Sequence, residues 1–113
     1  MHELAIAQAI ADSVDRHADG RPVGAVRVRI GHFRQVVPDS LMFAWELLID
    51  GTSLDGAELV IEHVPAVALC RGCGARTTLD VPVLVCAACL GHDLVLERGE
   101  ELVIDSIDVM EVT

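Results

Sequence analysis

From Leu4 to Ala18 the apolar residues Leu4, Ala7, Ile10, Ala11 and Val14 recur at helical spacing, while Gln8, Asp12, Asp15 and Arg16 fall on the opposite side. This pattern predicts an amphipathic helix. Gly20 supplies its stop, and Arg16 and His17 sit in the last turn, where the helix dipole favours positive charge. After Arg21-Pro22 the period changes to two: Val26, Val28 and Ile30 alternate with Arg27 and Arg29, as in a half-buried strand that ends at Gly31. Pro38 suits the first turn of a second helix, Asp39 adds a favourable acid there, and Asp50-Gly51 closes it. That helix is apolar almost all round, which predicts either a central place in the core or a cover supplied by another chain.

A strand is expected over Glu58 to Val67, with Glu58 and Glu62 on the face away from Leu59 and Ile61, placed to pair with Arg27 and Arg29 on a neighbouring strand. Beyond it come a short apolar segment, Leu94 to Leu96, and a last strand from Glu101 to Val109. In that strand the alternation slips by one residue at Asp105-Ser106, as a β-bulge would produce.

Between these strands lie the only cysteines, as two close pairs, Cys70-Arg71-Gly72-Cys73 and Cys86-Ala87-Ala88-Cys89. Two C-x2-C hooks can present four thiolates to one tetrahedral ion. Zn(II) suits a closed sulfur site of this kind and iron is the minority alternative, so the role expected is structural. In the first hook Gly74 follows the second cysteine directly; in the second, Leu90 intervenes before Gly91. The expected architecture is α+β: a three-stranded sheet with two helices over 1–67 and 98–113, plus an inserted four-cysteine, zinc-ribbon-like lobe over 68–97.

Charge narrows the function. Eighteen acids against eight basic residues give a formal net charge of -10, and four thiolates with one divalent ion would lower it to about -12. Such a field repels phosphate backbones and disfavours nucleic acid as a partner. The chain opens on Met1-His2-Glu3 in place of a basic leader and contains no long apolar run, which points to a cytoplasmic protein with no membrane partner. In a reducing compartment, paired cysteines are metal ligands more often than disulfides.

The same opening residues offer chemistry. With Met1 retained ahead of a bulky second residue, the amino group, the amide nitrogens of His2 and Glu3 and the His2 imidazole can lie in one plane around an ion, a geometry suited to Ni(II) or Cu(II). His2 can equally be an exposed terminal histidine. Of the remaining histidines, His63 falls in phase with Leu59 and Ile61 and is expected to be a partly buried strand residue. His92 is expected on a surface loop, His32 shows no partner, and Asp105, Asp108 and Glu111 read as a solvated acidic edge.

Taken together, the opening Met1-His2-Glu3-Leu4-Ala5-Ile6, the stretches Val37 to Leu41, Phe43 to Glu46 and Gly51 to Ala57, the two hooks and Gly99 to Leu102 resemble the HypA/HybF family of nickel-insertion accessory proteins for [NiFe] hydrogenase maturation. The resemblance implies a nickel metallochaperone with a structural zinc site, not an enzyme. It implies nickel bound at Met1, His2 and Glu3, zinc at Cys70, Cys73, Cys86 and Cys89, docking to a nickel-handling GTPase, and the hydrogenase large subunit as acceptor. No nucleophile-base pair, phosphate loop or open catalytic metal site emerges from the residues themselves. The rival reading is a zinc-ribbon protein-protein interaction module without nickel transfer. The apolar second helix leaves room for a homodimer or for partner docking.

Overall fold

The computed structural model describes residues 2–110. Their order is α1 (His2–Ala18), β1 (Val23–Gly31), a 3-10 turn (His32–Arg34), α2 (Pro38–Ile49), β2 (Glu58–Val64), β3 (Ala66–Cys70), β4 (Arg76–Leu79), β5 (Leu94–Arg98) and β6 (Leu102–Val109). The strands form two three-stranded sheets, ordered β2-β1-β6 and β4-β3-β5. The α+β class and the sheet with two helices follow the sequence pattern. The second sheet does not.

The chain divides into two compact units. The first holds both helices and the β2-β1-β6 sheet. In it α1 buries Ala7, Ile10, Ala11 and Val14, while Leu4, at the frayed edge of the apolar stripe, stays 52% exposed. Helix α2 starts on Pro38, whose fixed φ suits the first turn, and buries Leu41, Ala44, Trp45 and Ile49. Trp45 is the keystone of this packing: it is 1% exposed and its indole N–H donates to the Ala57 carbonyl at 2.9 Å. That bond ties the helix to the residue that leads into β2. The opposite flank of α2 leaves Phe43 and Leu47 largely exposed.

Arg27 and Arg29 form no ion-pair contact with Glu58 and Glu62, although the Glu58 charge acts on Arg27. Strand β1 is central, and the arginines turn instead to β6: Arg27 Nη1 lies 2.8 Å from Asp108 and Arg29 Nε 2.8 Å from Asp105. The hydrogen bond and charge of Arg27 hold the Asp108 carboxyl below its usual range. Two of the acids expected to serve only solvation therefore fix a strand pair, and the third, Glu111, lies outside the described residues. Along β6 the half-buried positions change phase between Asp105 and Ser106.

The second unit comprises His63–Leu102 with Ile30–Gln35. The expected single strand over 58–67 is broken at Pro65, which has no N–H to give a ladder, so β2 and β3 belong to different sheets. Strand β3 pairs antiparallel with β4, Ala66 opposite Leu79 and Leu69 opposite Arg76, and with β5, Cys70 opposite Leu94. The core is small: Ala66, Ala68, Cys70, Leu79, Cys86 and Leu94, with Phe33 packed against it. Close backbone approach closes the unit. A Cβ on Gly31 would meet Gly99 backbone atoms at 2.2 Å, and Gly99, at φ +123°, has no room for one against Ala66.

Replacing Trp45 by Phe leaves the Ala57 carbonyl without its donor and a gap beside α2. We expect a loss of about 2 to 3 kcal/mol, read as a lower urea midpoint by far-ultraviolet circular dichroism. An unchanged midpoint would remove Trp45 from this role.

Candidate metal centre

The four cysteines converge. One ligand atom from each of Cys70, Cys73, Cys86 and Cys89 lies within 4.8 Å of all the others. Cys70 Sγ is 3.7 Å from Cys89 Sγ, and Cys73 Sγ is 3.5 Å from Cys86 Sγ. Ligands at about 2.3 Å in tetrahedral array would be about 3.8 Å apart, so the donor set and its spacing fit one sulfur-bound ion. No other group of three or more metal-ligating side chains occurs among the described residues.

Both hooks reach this geometry through the same backbone ring. Cys70 N–H donates to Ala75 O and Gly74 N–H to Cys70 O, each at 2.8 Å; Cys86 N–H donates to Gly91 O and Leu90 N–H to Cys86 O, each at 2.9 Å. The residue after the second cysteine must then be left-handed. Gly74 adopts φ +80° without strain, and Leu90 adopts φ +63° in spite of its Cβ. The missing glycine in the second hook therefore does not alter the turn; it places a strained, 72% exposed leucine there. Gly91 is needed for another reason: its N–H donates to Cys89 Sγ at 3.4 Å, and a Cβ would crowd that sulfur at 3.1 Å. The hooks are clamped to each other by Arg71, whose N–H donates to Asp93 O at 2.8 Å and whose guanidinium pairs with the Asp93 carboxylate.

The thiols divide by their surroundings. The amides of Cys89 and Ala88 draw Cys86 down to about 6. The Ala75 amide also pulls on Cys73, but hydrogen bonding to Cys86 and burial prevail and push it up to about 12. Cys70 and Cys86 are buried, whereas Cys73 and Cys89 are exposed.

At the other end of the chain, Met1 lies outside the described residues. His2 opens α1, and its Nε2 lies 3.1 Å from Glu3 Oε2, with the His2 side chain 51% and the Glu3 side chain 14% exposed. Burial pushes the Glu3 carboxyl up, but hydrogen bonding and the His2 charge outweigh it and the net shift is downward. As the first residues of the helix, His2 and Glu3 have no preceding helical carbonyl for their amide N–H groups, and the Glu3 amide bonds to its own carboxylate.

His92 is exposed, in the segment between the second hook and β5. His63, expected to be partly buried, is exposed as well: the alternation slips after Ile61 and Val64 is buried in its place, so phase with Leu59 no longer implies cover. It hydrogen-bonds His32, which the sequence left without a partner. Nothing in the spacing of 31 positions between them could have shown this.

A family model described as HypA, hydrogenase/urease nickel incorporation, metallochaperone, matches residues 1–109. The chain belongs to the HypA family. A HypA relative from Nostoc sp., named hydrogenase maturation factor HypA, is 40% identical over 112 residues, covering 99% of this chain and 98% of that protein. One of the same name from Geotalea uraniireducens is 39% identical over 109 residues, covering 96% and 99%. The solution structure of the Ni metallochaperone HypA from Helicobacter pylori matches with a TM-score of 0.68 at 19% identity, over 97% of this chain and 98% of that one. That last likeness concerns the fold. The resemblance read from the sequence is thus the right one, and HypA membership makes the chain a maturation factor that works with the metal-insertion machinery. No described helix is long and apolar enough to cross a membrane.

Substituting Leu90 by Gly relieves the left-handed strain, and we expect the cysteine lobe to gain about 1 kcal/mol. Because metal binding and folding are coupled in so small a unit, competition with a chromophoric chelator should show metal held several-fold more tightly. Weaker retention than in the parent would contradict the strain assigned to Leu90.

Proposed function

We propose that this chain is a nickel carrier that delivers Ni(II) for maturation of [NiFe] hydrogenase, with Zn(II) held by Cys70, Cys73, Cys86 and Cys89 as a structural ion. The observation that carries the nickel reading is the contact between His2 Nε2 and Glu3 at the first residues of α1. A carboxylate can only accept, so in the neutral, metal-binding form of the ring Glu3 holds the proton on Nε2 and leaves the Nδ1 lone pair free. Nδ1 is the ring nitrogen nearer the backbone, able to close a chelate ring with the amide nitrogen of His2. No carbonyl of the helix precedes that amide or its neighbour, and the helix dipole favours the negative charge they gain on losing their protons. With the amino group of Met1, these nitrogens form a planar set suited to Ni(II). Glu3 acts here by orienting His2.

The zinc reading rests on the sulfur spacing and on the size of the core. Two of the six buried side chains of that core are cysteines, so the unit lacks the apolar burial to stand without its ion. When bound, zinc supplies a fixed cross-link and no open position. We assign nickel to the unit that begins with α1 and zinc to the cysteine unit. The work is that of a cytoplasmic carrier and not of an enzyme, with a nickel-handling GTPase as docking partner and the hydrogenase large subunit as acceptor. The names of the relatives support the hydrogenase assignment.

Titrating the untagged protein with Ni(II) tests the carrier reading, since a tag would block the amino group. We expect His2→Ala to lose at least about a hundredfold in nickel affinity while keeping zinc and fold, and Glu3→Gln to lose about tenfold. Equal affinity in wild type and His2→Ala by calorimetry would leave the zinc-ribbon interaction module as the better reading. For the zinc site, Cys73→Ser should lose zinc together with the amide dispersion of 63–102 and keep that of α1. Dispersed lobe amides after full zinc removal would refute a structural role.

A further inference from the structure

His32 and His63 lie in the same compact unit, 31 positions apart in the chain, with His32 Nδ1 3.1 Å from His63 Nε2. The other nitrogen of His32, Nε2, is 2.7 Å from the backbone carbonyl of Asp80. A carbonyl only accepts, so Nε2 carries the proton and the neutral ring turns its Nδ1 lone pair toward His63. A ring nitrogen freed in this way, with its partner nitrogen donated to a backbone carbonyl, is the arrangement that orients metal-ligating histidines. His32 is also held rigidly. In its turn Phe33 N–H donates to Gly99 O at 2.7 Å, Gly31 N–H to Glu101 O at 2.8 Å and Arg34 Nε to Glu100 O at 2.7 Å, while Phe33 packs on the core.

The spacing is that of two ligands on one ion. Nitrogens at about 2.0 to 2.1 Å from a metal, subtending an angle between square and tetrahedral, are about 2.9 to 3.4 Å apart. The ring centroids, 5.3 Å apart at an interplanar angle of 81°, would need to close to about 4.8 Å for both lone pairs to converge at such bond lengths. His63 is exposed and near the end of its strand, so its side chain can make that half-ångström adjustment, and the proton its Nε2 shares with His32 passes to its own Nδ1 through water as the ion enters.

We propose that His32 and His63 form a second metal site, distinct from the four cysteines and from the amino terminus, that binds one borderline first-row divalent ion through two imidazoles. Nitrogen donors of this type favour Ni(II), Cu(II) and Zn(II) over Mg(II) or Ca(II). No third protein ligand joins the pair in the ligand groups of the described residues, so water fills the remaining positions and the ion exchanges readily. The site does not depend on the carrier role proposed above.

The test uses the zinc-loaded, untagged, full-length His2→Ala protein, in which the amino-terminal site is disabled. Ni(II) is added while the histidine ring signals are followed by long-range nitrogen-proton spectra. Water-completed Ni(II) is paramagnetic, and the His32 and His63 signals should broaden together at substoichiometric ion, ahead of His17 and His92. Adding His63→Ala, or His63→Gln, which keeps a hydrogen-bond donor for His32, should lower the affinity at least about tenfold with zinc content and circular dichroism unchanged. Equal broadening of all four histidines, or unchanged affinity in both variants, would reduce the pair to a hydrogen bond and overturn the proposal.

Discussion

Four sulfurs within 4.8 Å of one another set the condition on which the cysteine unit depends. Thiolates cannot share so small a space without a cation, and thiols there would forfeit much of what draws the hooks together. Everything around the group serves to hold the sulfurs at that distance: the repeated five-residue ring in each hook, the Arg71 clamp to Asp93, and the register that places Cys70 opposite Leu94. The core beneath is made of alanines, leucines and two of the cysteines themselves. Hydrophobic burial of that size stabilises weakly, so an ion bound to the four sulfurs would dominate the stability of the unit.

Much of this was legible in the chain. Helical spacing defined α1, Pro38 and Asp50-Gly51 bounded α2, and the hooks announced a four-sulfur site, because each rests on local rules. What was missed depended on which strand lies beside which. The sheet order leaves Arg27 and Arg29 with acids on both neighbours of β1, and only the side-chain geometry across the strands shows the bonds going to Asp108 and Asp105. Strand β4, Arg76-Thr77-Thr78-Leu79, carries one buried apolar residue and no alternation to detect. Pro65 was the signal that could have divided β2 from β3, since a residue without an N–H interrupts a ladder.

The second hook shows a different limit. It has Leu90 where the first hook has Gly74, yet the backbone ring repeats that of the first hook and Leu90 bears the left-handed strain. Geometry imposed by four ligands outweighs a local preference of about 1 to 2 kcal/mol. A sequence rule stated per residue cannot register a constraint that arises from cysteines in the other hook.

The thiols also bear on how the site fills. Cys86, held near 6 by the amides of Cys89 and Ala88, is a thiolate at neutral pH, while Cys73 at about 12 is not. An arriving ion therefore meets one buried anion first and must displace protons from the exposed sulfurs to complete its shell. Each proton released makes retention stronger as pH rises. An amino-terminal nitrogen set at the start of α1 would differ in kind: open to solvent on one side and formed from backbone nitrogens that must also be deprotonated, it would release its ion wherever a partner supplies protons or better ligands. The cysteine group and such an amino-terminal set would thus suit opposite tasks, one keeping an ion to hold a fold and the other holding an ion in order to give it up.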